Sequence, residues 1–468
     1  MKRLIKHYIM FFIMSIACIL CSSCSTKKEN DSFKDQDYKA EPVQEQVNLQ
    51  EELSEKNVQD TLESTSDMET DIAEPDLPAN DYGNKVEISK DFLLNFYDFT
   101  EQTFAQIIRE NEEKNQIYAP LNLYLSLSML YELSEGEAKE EIQKALHMSD
   151  AKHDSSELIA VISSLQERRL QPIGKLNINT SLWLNDEINY QDDLLNLLQS
   201  QYKTEIFKVD LKDNESQNLM AKWLYENANF EIQPDHHMSL DNSLNLTNPL
   251  AFTSFSTLDF YDEWLLEFNE EDTRADTFFL SDTEKITCDY MNLEEKDHLF
   301  MVGEDYISTE CILKGGVEYM LFILPKEGMS VDDFIEDKGK LADVIDKWNN
   351  EQVSFGKVKL SIPKFAYENE IDLIKTTESL GINKIFDINS KAFSSFADED
   401  IYISGIRQAS KIEVNEKGCA ASSFTQIVAQ GSAGSKDEAE IILNRPFIYV
   451  LMKDKVPFLT GVVRNPLG

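Results

Sequence analysis

The run Glu413-Val-Asn-Glu-Lys-Gly-Cys-Ala-Ala-Ser-Ser-Phe-Thr-Gln-Ile-Val-Ala-Gln-Gly-Ser-Ala-Gly-Ser435 begins as a strand and then changes character. Ile412 and Val414 alternate with Lys411 and Glu413, the period of a strand with one buried face. From Cys419 to Ser435 there is neither a charge nor a proline, although the surrounding chain is strongly acidic. A water-exposed loop ordinarily carries charges, or the Pro, Asn and Asp that fix turns. This one holds small residues, with the β-formers Thr425, Ile427 and Val428 among them. Read with period two, Cys419, Ala421, Ser423, Thr425, Ile427 and Ala429 share a face, and all are small or apolar. Ala420, Ser422, Phe424, Gln426, Val428 and Gln430 share the other. The segment has the make-up of a spare strand, a loop in one state and a sheet member in another.

Glu416-Lys417-Gly418-Cys419-Ala420-Ala421-Ser422-Ser423 resembles the reactive-centre-loop hinge of serpins, roughly Glu-Glu-Gly-Thr-Glu-Ala-Ala-Ala. It departs from that pattern at Lys417, at Ala420 and at Phe424, where a small residue is common; Phe424 falls on the outward face. Asn444-Arg-Pro-Phe-Ile-Tyr-Val450 and Pro457-Phe-Leu-Thr-Gly-Val-Val-Arg-Asn-Pro466 are similar to the family's C-terminal strand pair. The resemblance extends from about Val86 to Pro466 through Asn115–Leu123, Ser181-Leu-Trp-Leu184, Leu324-Pro325 and Leu360-Ser-Ile-Pro-Lys-Phe365. Ala119 stands where serine is usual, and the family's lysine, glycine and tryptophan are missing from the stretch Leu244 to Phe255.

The resemblance implies an α+β fold, with large, mostly antiparallel sheets, surrounding helices and an exposed reactive-centre loop. It also implies a suicide-substrate inhibitor of serine, or cysteine, proteases, and not an enzyme. The cut loop would enter the central sheet and trap the acyl-enzyme. Counting from Glu416 by the family's spacing puts the reactive bond at Ser432-Ala433. The run from Glu416 to Pro446 is a few residues longer than the family's usual spacing, and if the extra length lies before the cut the bond moves to Lys436-Asp437. Small residues around Ser432 suit the shallow pocket of an elastase-like or subtilisin-like serine endopeptidase. A trypsin-like pocket would keep its buried acid unpaired. The alternative is a non-inhibitory serpin, acting as a binding module or plain substrate, which shares the fold and would merely be cleaved.

Upstream, Lys2, Arg3 and Lys6 precede an apolar run from Tyr8 to Leu20, a targeting segment too short to span a membrane. Cys21-Ser-Ser-Cys24 resembles a bacterial lipoprotein cleavage site, with Cys21 where leucine is common. This makes residues 1–23 a signal peptide and Cys24 the lipidated residue, with a plain secretory signal or uncleaved anchor as the alternatives. Residues 24–85 are acidic and Gln-rich, with few large apolar residues and Pro42, Pro75 and Pro78. Such a segment cannot bury enough apolar area to offset chain entropy and reads as a disordered tether. The folded domain is then 86–468, held outside the cytoplasm at a membrane or cell surface.

The 468 residues carry a net charge of −41, which argues against nucleic acid and for a self-repelling monomer. No cofactor is implied, since heparin would need basic patches. Three of the six cysteines lie in the targeting segment Met1 to Cys24, leaving Cys288, Cys311 and Cys419, no disulfide framework. Nothing in the spacing supports Cys419 as a nucleophile with His236 or His237 as base, and the six histidines form no metal-ligand pattern. A lipid-anchored solute-binding protein would suit the tether but predicts two lobes and gives no reason for the uncharged loop.

Helical spacing is expected around Phe92, Phe96, Phe99, Phe104 and Ile107, over Tyr124–Leu133, from Gly136 to Leu146, and over Leu194–Tyr202, Leu219–Ala228 and Val331–Trp348. Leu176–Leu184, as a central strand, Glu205–Val209, Thr273–Leu280 and Tyr319–Pro325 read as strands.

Overall fold

The computed structural model describes residues 88–148, 151–167, 174–228, 251–314, 318–350, 352–419 and 437–468. The chain enters through α1 (Lys90–Glu110), whose start is capped by the Ser89 hydroxyl accepting the Phe92 amide at 3.1 Å. Its aromatic stripe is buried, with Phe96, Phe99 and Phe104 set around Tyr118 and Tyr124. After β1 (Gln116–Tyr118) comes α2 (Pro120–Leu133), apolar on nearly every side and buried accordingly. Ala119 offers no side-chain cap to α2. Gln408 compensates from another strand, accepting from the Ala119 amide at 2.7 Å and donating to its carbonyl at 3.0 Å.

The remaining helices are α3 (Gly136–Ala145), α4 (Ala151–Glu167), α5 (Asp192–Gln201), α6 (Asn214–Ala228), α7 (Val331–Glu336), α8 (Lys340–Asn349) and α9 (Ile374–Ser379). The continuous helix expected over Val331–Trp348 is therefore two. Gly339 breaks it with φ of 85°, a left-handed conformation natural to glycine. The start of α8 has no cap of its own. The buried Glu101 carboxylate of α1 accepts from the Gly339 amide and, at 2.9 Å, from that of Ala342.

Among the described residues the strands form two sheets. The nine-stranded one runs β1, β15 (Val456–Val463), β14 (Phe447–Lys453), β8 (Glu318–Pro325), β7 (Tyr306–Ile312), β6 (Lys285–Val302), β9 (Ser354–Pro363), β13 (Glu438–Ile442), with β5 (Arg274–Phe279) also on β6. The six-stranded one runs β10 (Phe365–Asp372), β11 (Arg407–Asn415), β12 (Gly418–Cys419), β4 (Phe252–Glu263), β2 (Lys175–Asn185), β3 (Glu205–Val209). The expected strand Leu360–Phe365 is divided at Lys364, where the chain leaves one sheet for the other.

The C-terminal pair β14–β15 is buried along its whole length, and its Lys453 is matched by Glu318 at 2.9 Å, both fully buried. Between the sheets sit Phe365, Tyr367, Phe447 and Tyr449, with the two tyrosine hydroxyls 2.8 Å apart. Gly461 gives the Tyr449 ring its room; a Cβ there would strike the ring and its hydroxyl. Helix α2 packs on β15 of one sheet and β4 of the other, so a single core serves both.

Candidate functional site

Strand β11 delivers the chain to the site with Ile412 and Val414 buried and Lys411 and Glu413 exposed. Beyond Asn415 it turns, and the Lys417 amide donates to the Asn415 side-chain oxygen at 3.0 Å. The returning residues form β12 antiparallel to β11, Asn415 facing Gly418 and Val414 facing Cys419. The other edge of β12 pairs with β4, Gly418 facing Glu263 and Cys419 facing Asp262. Among the described residues, β12 is what hydrogen-bonds β11 and β4 into one sheet. Gly418 is required by contact, since a Cβ there would run into the Asp262 carbonyl and the Glu263 backbone.

The corner after β4 grips the turn. The Trp264 amide donates to the Lys417 carbonyl at 2.9 Å, the Phe268 amide to Glu416 at 3.1 Å, and the Trp264 indole to Asn415 at 2.9 Å. Three consecutive carbonyls are thus held by two residues. The Glu416 carboxylate points inward and accepts from Thr273 at 2.8 Å and from Lys364 at 2.9 Å. Burial pushes the Glu416 pKa up, but the hydrogen bonds from Lys364 and Thr273 outweigh it, and the net pKa lies below the ordinary carboxylate range.

Next to this corner, Lys314 is 7% exposed, with its ammonium 2.7 Å from Glu263 and 2.5 Å from Glu267. Burial disfavours the charge, yet the two carboxylates raise the lysine pKa above its usual value.

Cys419 is 4% exposed. Burial, with Asp262 and Glu413 nearby, pushes its thiol up to about 12, so it is not a nucleophile in this arrangement. Cys288 and Cys311 are likewise buried and unpaired by disulfide. Among the described residues no cluster of three or more His, Cys, Asp or Glu is placed to hold a metal ion.

Of the residues singled out in the sequence, Glu416, Lys417, Gly418 and Cys419 come together here. Ala420, Ala421, Ser422, Ser423, Ser432, Ala433 and Lys436, like Cys24, His236 and His237, lie outside the described residues. Asp437 leads into β13, its carbonyl accepting the Lys357 amide at 2.9 Å beside Gly356, where a Cβ would collide with it. The segment 420–436 is thus attached at one end to the six-stranded sheet and at the other to the nine-stranded one. Trp264, Phe268 and Lys314 are not singled out by the sequence, and Thr273 only as the start of an expected strand. Of these, only the burial-prone Trp264, set among acids in Asp-Glu-Trp-Leu-Leu-Glu, carried a signal.

The site is thus a strand, a tight turn and a returning pair of residues seated in a sheet. A family model described as Serpin (serine protease inhibitor) matches residues 95–466. The chain belongs to the serpin family, whose members are generally protease inhibitors and not enzymes. It is 26% identical over 368 residues to plasminogen activator inhibitor 1 of Bos taurus, covering 76% of this chain and 87% of that protein. Serpin B5 of Xenopus laevis is 24% identical, with 75% and 91% covered. The native state of tengpin, a thermophilic serpin, superposes with a TM-score of 0.69 at 24% identity over 81% of this chain and 95% of that one, showing the shared fold.

Proposed function

We propose that this serpin is a suicide-substrate inhibitor of serine endopeptidases with shallow pockets, elastase-like or subtilisin-like, cut at Ser432-Ala433. The protease serine attacks the Ser432 carbonyl, and the Ala433 amine leaves with a proton from the protease histidine. The freed loop then inserts and carries the acyl-enzyme with it.

The observation that carries this reading is the register of β12. Cys419 faces Val414 on one side and Asp262 on the other. Continued down the sheet, the same register sets Thr425 opposite Ser256 of β4 and Gln408 of β11. Among the described residues the Ser256 hydroxyl and the Asn122 side-chain oxygen are buried there without hydrogen-bond partners, and the Asn122 amide donates to the Ser256 carbonyl at 3.0 Å. Leaving such atoms unsatisfied costs about 1–3 kcal/mol each. A threonine hydroxyl arriving between them supplies the missing partner. Each ladder bond gained adds roughly 0.5–1.5 kcal/mol, so about a dozen suffice to displace a docked protease.

The same proposal includes the N-terminal arrangement: signal 1–23, lipid on Cys24, tether 24–85, domain 86–468, all outside the cytoplasm. The test mixes the full chain with elastase-like, subtilisin-like and trypsin-like proteases. A complex surviving SDS, with a released fragment starting at Ala433, supports the reading. A fragment starting at Asp437 after trypsin moves the bond to Lys436-Asp437. Cleavage by every protease without a complex makes the protein a non-inhibitory serpin.

A further inference from the structure

Lys314 lies outside the hinge and, among the described residues, makes no hydrogen bond to Glu416, Lys417, Gly418 or Cys419, yet the corner that grips them is built around it. The corner runs from Glu263 to Phe268 and supplies the donors for the carbonyls of Asn415, Glu416 and Lys417. Lys314 binds the first residue of that corner twice: its amide donates to the Glu263 carbonyl at 2.8 Å and its ammonium to the Glu263 carboxylate at 2.7 Å. The same ammonium reaches Glu267 at 2.5 Å, next to the Phe268 donor. Tyr261 donates to the remaining Glu263 oxygen at 2.9 Å, and Leu265 is fixed by the Ile312 carbonyl at 2.7 Å.

A buried ion triad contributes little stability over an apolar filling of the same shape; what it fixes is geometry. Here it sets the spacing between Trp264 and Phe268. Gly418 pairs with Glu263 itself, so insertion would continue from a pair already held at the residue that Lys314 fixes.

We propose that Lys314 is a positioning residue for loop insertion: by tying Glu263 to Glu267 across the corner it aligns the donors that receive the hinge, and so sets the fraction of attacks ending in capture instead of release. The proposal rests on the inhibitory reading for its outcome, but its structural half stands apart from it.

The test compares the full-length chain with Lys314→Met, Lys314→Arg and Glu267→Gln. Amide exchange is read at Trp264 and Phe268, with the buried strand β14 as reference. Partition between SDS-stable complex and cleaved, released inhibitor is read with an elastase-like protease. Lys314→Met should exchange at least tenfold faster at both amides with β14 unchanged, and its share of released inhibitor should rise severalfold. Lys314→Arg should restore most of both, and Glu267→Gln should shift them in the same direction by less. If Lys314→Met does not fold, Glu267→Gln decides. Unchanged exchange at Trp264 and Phe268 overturns the proposal, as does faster exchange spread equally over β14. Faster corner exchange with no complex from any variant, wild type included, retires the inhibitory reading and leaves the alignment by Lys314 standing. Faster corner exchange with an unaltered partition overturns the link to capture.

Discussion

Lys364 stands at the point where the chain crosses from β9 to β10, and its ammonium meets the Glu416 carboxylate, 2.9 Å away, across the root of the hinge. One residue thus links the crossover between the sheets to the turn that precedes β12. The pair is unequal, Lys364 being 39% exposed and Glu416 9%, so solvent screens the lysine side.

Glu416→Gln keeps the shape and removes the charge. It should cost about 1–2 kcal/mol, lowering the melting temperature by a few degrees in calorimetry. The pH dependence has a definite sign. The folded pKa is depressed, so the stabilisation is present above the ordinary carboxylate range and is lost as pH falls through the lowered value. The variant should therefore differ from the parent at pH 7 and converge with it in acid.

Cys419 gives a chemical reading of the hinge. With its thiol at about 12, its thiolate fraction at pH 8 is about a thousandfold below that of a free cysteine. Iodoacetamide should spare it in the native protein and label it promptly in urea. Prompt native labelling would place β12 outside the sheet. Cys419→Arg brings a large cation against Val414 and Asp262 at the first inserted position. That variant should still be cut at the same bond but release the protease.

Glu310, on β7, is 8% exposed, and burial alone pushes its carboxyl up to about 7. Its effect runs opposite to that of Glu416. The folded state favours the protonated form, so stability is full in acid and falls as pH rises to about 7, by on the order of 3 kcal/mol. His298, on β6, hydrogen-bonded to the Thr309 hydroxyl at 2.9 Å, has its pKa lowered by burial, which costs stability as pH falls below its ordinary range. Glu310→Gln should remove the alkaline loss and leave the acid one. Melting temperatures from pH 5 to 8 check this; parallel curves for the two proteins would contradict it.

Cutting between Gln426 and Ser435 should raise the melting temperature by roughly 10–30 °C, if about a dozen ladder bonds form. An unchanged curve after cleavage would remove insertion from the account.

Much of the fold was legible because its signals are local. The aromatic spacing of α1, the alternation of β11 and the unbroken apolar runs of β14 and β15 are visible in neighbouring residues. The break at Gly339 was not, because a hydrophobic stripe continues across it and the carboxylate that caps the second helix, Glu101, lies far away in the chain. Strand β6 hides for a different reason. Its residues Leu293-Glu-Glu-Lys-Asp-His298 look like a turn, but β9 pairs along them with a shift of register between Glu295 and His298. At the site, Gly418 and Cys419 stood out by composition. The grip of Trp264 and Phe268 and the triad at Lys314 arise from residues brought together only by folding, and no spacing in the chain announces them.

The attachment of segment 420–436 to two different sheets bears on the reverse reaction. An acyl-enzyme is resynthesised to peptide when the departed amine stays beside it, since a neighbouring nucleophile acts at a very high effective molarity. Here the acyl side continues from Cys419 in one sheet, while the amine side is anchored through Asp437 and β13 in the other. Under the proposed cut at Ser432-Ala433, insertion would carry Ser432 off with its strand and leave Ala433 on the side of β13. Religation would then lose its proximity advantage, and the cut would become a one-way event without any barrier in the chemistry itself.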